Sequence, residues 1–315
     1  MLNQSSRSLT LLTIGLSVAV GTIALPRSVN AYTLGPAEGY NLFVLGNVTQ
    51  DTIHSQGKVA VGGNITSSVS YGIGDRVPLG NNLVVGGNIN LGTNGQVKGK
   101  AIYGGTTASV NATQGVMPGT PIDFAAAGAD LRALSNQFRG LTANGLISTP
   151  APSGLVVLSG SRSDYNVFNL NSIQLTNTVR YKIETPSTAQ IIINILGDSV
   201  MLGNGNFAFD VSDAQVSRVL YNFNATQITA QGIGFRGNVL APNAVFNADN
   251  GQILGTGIFG SLQEIPGVGG TFEYNLPNGS LGDGSSNNSV PTPALLPGIL
   301  AIAGRMWQRS RKTGV

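Results

Sequence analysis

The chain contains no cysteine and a single histidine, His54. The first absence removes disulfides, thiolate metal sites and cysteine nucleophiles together. The second rules out a multi-histidine metal centre, and a Ser-His-Asp arrangement would have to be built on His54. Charge is also scarce. Asp, Glu, Lys and Arg supply 10% of residues, against about 25% in an ordinary globular protein. A domain without disulfides must depend on core size and backbone pairing.

Glycine, by contrast, is abundant, with 44 residues, and 41% of the chain is hydrophobic. Gly and Asn reach positive φ cheaply, so the composition suits an all-β protein with many turns. The hydrophobic content argues against low-complexity disorder. About 250 residues lie between the two ends, enough for one domain with one large core.

The ends carry addresses rather than fold. Arg7 is the only charge before an apolar stretch from Leu9 to Leu25, and Val29-Asn30-Ala31 follows. This order reads as a secretory signal peptide cleaved between Ala31 and Tyr32 by signal peptidase. At the other end, Pro291, Thr292, Pro293 and Ala294 open a short apolar run, Leu295 to Gly304. Arg305, Arg309, Arg311 and Lys312 follow. The run is about half of the ~20 residues a bilayer span needs. It can make transient membrane contact, with the basic tail held on the cytoplasmic side. The Pro-Thr-Pro-Ala tail resembles the PEP-CTERM class of bacterial sorting signals. That resemblance implies an exosortase-type processing protease as partner. The middle Thr292 departs from the commoner Pro-Glu-Pro form.

Six of the 17 basic residues sit in these ends, and all 14 acidic residues lie between them. The precursor's net charge of +3 therefore becomes mildly negative in the body. The basic excess is therefore no evidence for nucleic-acid binding, which needs a cationic patch on the folded domain, and no nucleic-acid partner is expected.

Within the body one unit recurs. Val59-Ala60-Val61-Gly62-Gly63-Asn64-Ile65 is one copy, and Leu83-Val84-Val85-Gly86-Gly87-Asn88-Ile89 is the next. Ala101 to Gly105 is a shortened third, and Phe43 to Val48 a degenerate first. Each supplies an extended apolar strand, a glycine corner, and an Asn able to bond backbone above its counterpart. Such units bury a core only by stacking in parallel. Further strands are expected at Gly154–Leu158, Asn166–Leu170, Gln190–Leu196 and Arg218–Phe223. Two more steps fall at Arg236–Ala244 and Gly251–Phe259. Short strands with this punctuation fit a β-solenoid or a β-sandwich, and the repeats favour the solenoid. Phe124, Ala127, Leu131, Leu134, Phe138 and Leu141 lie at helical spacing. They predict one helix packed along the β core, with Thr120 as N-cap, Pro121 at the first position and Gly140 at the end.

With these residues in view, the body from about Tyr40 to Pro277 resembles the choice-of-anchor A domain of bacterial surface proteins. The carriers are the two Val-Gly-Gly-Asn steps, Tyr103-Gly104-Gly105, the Ile122-Asp123-Phe124 helix start, Val219 to Phe223 with Ala225-Thr226, and Leu240-Ala241-Pro242-Asn243-Ala244. The last step also looks like a rung of the ice-binding β-helix fold. The resemblance implies a surface or matrix protein, some relatives being described as adhesins, with no catalytic residue set. The expected fold is mostly β: a parallel β-solenoid with one long helix alongside. The expected organisation is a signal peptide at 1–31, a β domain at 32–278, a flexible linker at 279–290 and the sorting signal at 291–315.

No residue set reaches a catalytic pattern, and no cofactor or metal is expected. His54 is expected on a loop after the first strand, near Asp51. Asp210 with Asp213, and Glu264 with Glu273, are the nearest approaches to a glycosidase carboxylate pair. Gly203-Asn204-Gly205 lacks the Gly-Lys-Ser/Thr of a phosphate loop. The expected function is adhesion at the cell surface or in the matrix, to polysaccharide or other surface proteins. The alternatives are an extracellular polysaccharide-acting enzyme on a β-helix face and an ice-binding-like protein.

Overall fold

The computed structural model describes residues 32–68, 72–92, 95–150, 154–177, 180–203, 208–265 and 271–277. The signal-peptide side of the Ala31–Tyr32 junction, the linker and the motif Pro291 to Ala294 lie outside them.

The body is a parallel β-solenoid of three faces. The repeat unit forms it as the sequence implies. Val59 and Val61 point inward and are fully buried, as are Leu83 and Val85. The strands stack in register, Val59 on Leu83 and Val61 on Val85. At each corner the second glycine makes room for the asparagine of the rung before. Asn47 Oδ1 accepts the Asn64 N–H, Asn64 Oδ1 the Asn88 N–H, and Asn88 Oδ1 the Thr106 N–H, each at 2.8 Å. A Cβ on Gly87 would lie against Asn64 Oδ1 and 2.8 Å from the Gly63 carbonyl oxygen. The glycines thus serve close approach between rungs as well as the corner itself.

The winding is not continuous along the chain. Tyr40–Val44 pairs on one side with Lys58–Val61. On its other side it pairs with Gly257–Glu264, from the end of the domain. The first rungs grow away from this junction through Asn81–Val85, Lys100–Tyr103 and Val116–Pro118. The helix then carries the chain back along the outside. The remaining rungs run through Tyr165–Asn171, Gln190–Leu196, Val219–Phe223 and Asn238–Asp249 and close on the first rung.

The helix spans Phe124–Arg139, not Pro121 onward. Asp123 rather than Thr120 is the N-cap, its Oδ1 accepting from the Ala125 and Ala126 N–H groups at 3.1 and 3.0 Å. An aspartate satisfies these otherwise orphaned donors and complements the helix dipole, so it displaces the earlier Thr-Pro start. At about 1.5 Å per residue the helix is ~24 Å long, and so crosses about five strands spaced ~4.8 Å apart. Its contacts walk across successive rungs. Phe124 meets Phe43 at 5.6 Å between rings. Arg132 Nε donates to Asn243 Oδ1 at 3.0 Å. Ser135 Oγ donates to Asn222 Oδ1 at 2.7 Å, and Asn194 Nδ2 donates to the Phe138 carbonyl at 3.0 Å.

Beneath the helix a polar ladder interrupts the apolar face. Asn222 Nδ2 also donates to Asn194 Oδ1 (2.9 Å), and Asn194 Nδ2 to Asn169 Oδ1 (3.0 Å). Tyr32, the first residue after the expected cleavage point, belongs to this layer. Its ring meets Phe138 edge-on at 5.8 Å and its hydroxyl accepts from Asn238 Nδ2 at 3.1 Å. Burial holds that hydroxyl well above the ordinary tyrosine pKa.

Candidate ligand-binding face

The three faces are chemically different. The first is covered by the helix and by Leu34 and Ala37, which are buried against it. The third, an 11-stranded sheet, carries most of the outward charges. Lys182 meets Glu184 at 2.7 Å, Arg180 meets Asp210 at 3.6 Å, and Arg236 pairs with Asp213. These exposed pairs are worth little individually.

Among the described residues nothing covers the second face, and its outward rows carry no charge. Its central outward row runs in register through Met201, Thr229, Asn247, Gln263, Thr49, Thr66, Asn90 and Ala108. A neighbouring row holds Ser199, Gln227, Val245 and Ser261. At ~4.8 Å per strand the central row extends about 34 Å. Inward residues alternate with it and are buried: Val200, Ile228, Phe246, Leu262, Val48, Ile65 and Ile89. The amides are held in place. Gln263 Nε2 donates to Asn247 Oδ1 at 2.6 Å, and Asn247 Nδ2 to the Ile228 carbonyl at 3.2 Å. Parallel strands fix the pitch and interior packing fixes the plane, so the face is preorganised for an extended ligand.

Where the second face turns into the third there is a cleft of about 440 Å³. Thr49, Asp51, Thr66, Ser68, Asn90 and Glu264 line it, with Gln50 among them. A smaller apolar cavity of about 270 Å³ lies elsewhere, between Ile147, Val156, Leu170, Ile173 and Tyr181.

The candidate chemical residues are dispersed. His54 is in a strand, Ile53–Ser55, not on a loop, and its Nε2 lies 3.7 Å from Asp75. It stands beside Glu273 on the adjacent strand. Asp210 and Asp213 face different arginines, and Glu264 and Glu273 occupy different faces. The enzyme alternative therefore loses both of its carboxylate pairs. Gly203 ends a strand, and the rest of that glycine segment lies outside the described residues. Among the described residues no three His, Cys, Asp or Glu side chains gather as a metal site. A regular polar face is what a solenoid adhesin implies, but its residues cannot be located from the sequence, because its Thr, Asn and Gln are separately unremarkable. Its only sequence signal is the polar residue after each inward Val or Ile, as in Val48-Thr49, Ile65-Thr66 and Ile89-Asn90.

Three solved structures are similar at low identity. An ice-binding protein from the Antarctic ascomycete Antarctomyces psychrotrophicus is 14% identical, with 79% of this chain and 98% of that one covered and a TM-score of 0.42. An ice-binding protein from an Antarctic biological consortium is 14% identical, covering 84% and 95%, with a TM-score of 0.36. A glycosylated ice-binding protein from an Arctic yeast is 13% identical, covering 78% and 94%, with a TM-score of 0.32. No curated protein sequence matches. Residues 33–274 match the family model described as "Putative Ice-binding-like adhesive domain". The chain belongs to this ice-binding-like adhesive domain family.

Proposed function

We propose that the protein is an exported adhesin of the choice-of-anchor A type, and that the second face holds its target. The observation that carries this reading is the asymmetry of the prism: one face is sealed by a helix, one bears paired charges, and one is flat, uncharged and open. A neutral face of ordered hydroxyls and amides matches a hydroxyl-rich matrix polysaccharide or the polar surface of another envelope protein. Signal peptidase removes residues 1–31. The linker at 279–290 leads to the sorting signal at 291–315, where an exosortase-type protease acts at Pro291 to Ala294.

Two outward positions on this face, the exposed Gln227 and the half-buried Thr229, test it. A Gln227→Lys, Thr229→Lys chain should fold with an unchanged Tm and lose retention on cells or matrix. Undiminished retention refutes the reading. Truncation after Ser289 should leave the fold intact and abolish surface placement, measured by fractionation.

Ice is the second reading, favoured by the family description. Against it, the central row mixes Thr with Asn247, Gln263 and the 64%-exposed Met201 rather than repeating one group. A thermal hysteresis measurement separates the two readings.

A further inference from the structure

The cleft beside the flat face contains groups that planar contact does not use. Glu264 Oε2 accepts the Asp51 N–H at 3.1 Å, and Ser68 Oγ donates to Asp51 Oδ1. Neither carboxylate has a Lys or Arg partner among the described residues, and the cleft is lined by none. Gln50 also lines it and is only 4% exposed. Its Nε2 donates to the Ala248 carbonyl at 3.4 Å, while its Oε1 has no hydrogen-bond partner. A buried acceptor left unpaired is destabilising unless something donates to it. The cleft thus combines two uncompensated carboxylates with an unpaired amide oxygen, and it needs donors.

A bare cation is a poor fit. The space is far larger than one ion, and no three acidic or imidazole side chains converge in it. A single sugar ring fits better. The volume is in the range of small-molecule sites. Vicinal hydroxyls can donate to carboxylate and amide oxygens while accepting from the Thr49 and Thr66 hydroxyls and the Asn90 amide. These hydroxyl and amide groups are continuous with the flat face, because Thr49, Thr66 and Asn90 belong to both.

We propose that this cleft is a pyranose subsite for a neutral glycan, in which Asp51, Glu264 and Gln50 accept hydrogen bonds from ring hydroxyls. The subsite deepens the adhesive reading and rests on it for its place on the molecule. It grips one sugar unit at the edge of the face, whereas the face contacts the remainder of the chain.

The test is calorimetric titration of the chain from Tyr32 onward with cellohexaose, maltohexaose, mannohexaose and xylohexaose. At least one should bind, and Glu264→Gln or Asp51→Asn should weaken it at least about tenfold, the value of a charge-assisted hydrogen bond. Asn90→Trp, at an exposed position on the cleft wall, should block binding without removing any internal carboxylate contact. The proposal falls if no hexasaccharide binds, or if folded Glu264→Gln, Asp51→Asn and Asn90→Trp chains all bind normally. It also falls if calcium chloride alone binds and Glu264→Gln abolishes that binding, since the cleft is then a cation site. The two readings fail separately. Adhesion lost in Gln227→Lys, Thr229→Lys without any sugar binding leaves the flat face standing and removes the subsite. Sugar binding lost in Glu264→Gln, with adhesion untouched by the lysine pair, does the reverse.

Discussion

Substituting Gly87 by alanine tests how the rungs are held together. Gly87 has no need of positive φ, so an alanine there meets a steric problem and no strained backbone. The added Cβ would overlap Asn64 Oδ1 and lie 2.8 and 2.9 Å from the Gly63 carbonyl oxygen and carbon. The carbonyl belongs to the backbone of the neighbouring rung and cannot rotate away. Separating the rungs also weakens the 2.8 Å bond from the Asn88 N–H to Asn64 Oδ1. Overpacking of this kind costs about 1–3 kcal/mol and a lost hydrogen bond about 1. The expected penalty is therefore about 2–4 kcal/mol, or a fall in Tm of about 5–15 °C for a domain of this size. Asn64→Ala alone should cost about 1 kcal/mol. In the double variant the side-chain part of the clash is gone, so the two penalties should sum to more than the measured loss by roughly 1 kcal/mol. Thermal unfolding followed by circular dichroism on all four proteins closes the cycle. A Gly87→Ala penalty below about 0.5 kcal/mol, or strict additivity, would refute the corner geometry as the reason for Gly-Gly-Asn.

Three further outcomes are expected. Asn222→Ala leaves the Ser135 hydroxyl and Asn194 Oδ1 without their partner beneath the helix, and should cost about 2–4 kcal/mol in denaturant unfolding. Tyr32→Ala removes a ring packed on Phe138 and should destabilise by about 3 kcal/mol, whereas Tyr32→Phe, losing only the Asn238 bond, should cost about 1. Asp249 is fully buried with no side-chain partner for either carboxylate oxygen. Burial raises its pKa above the ordinary 3.8, which the neighbouring Asn250 N–H only partly opposes. The folded state therefore holds this proton more tightly than the unfolded chain. Its contribution to stability is complete below pH 3.8 and is lost as pH rises through the raised folded value. Asp249→Asn should thus stabilise at neutral pH by about 1–3 kcal/mol and become near neutral at about pH 3, read from Tm against pH.

The same residues show how far local reading reaches. Val59 and Val61 face the interior as the apolar strand implies, whereas Ala60 is buried in the layer beneath the helix, which only the fold decides. The fully buried run within Gln190–Leu196 was legible as a strand packed on both sides. Asp123 was overlooked as a cap because Thr120-Pro121 offers an equally good local signal. Only the crossing over the first rungs decides where the chain can begin to coil. His54 was taken for a loop residue because its strand is three residues long, too short for a periodic pattern. The cleft was illegible because Gln50, Asp51 and Glu264 are brought together by pairing between the first and last rungs.

By itself the sequence determined the rung, its glycine corner, the helix and the poverty of catalytic groups. These follow from local sterics, alternation at period 2 and spacing at period 3.6, all written within a few residues. Tertiary structure alone decided that Tyr40–Val44 stacks against Gly257–Glu264. It also decided which of three similar strand sets the helix would cover. Parallel pairing constrains hydrogen bonds between segments but leaves no periodic mark of which segments they are. The face left open for a ligand is set by that distant choice.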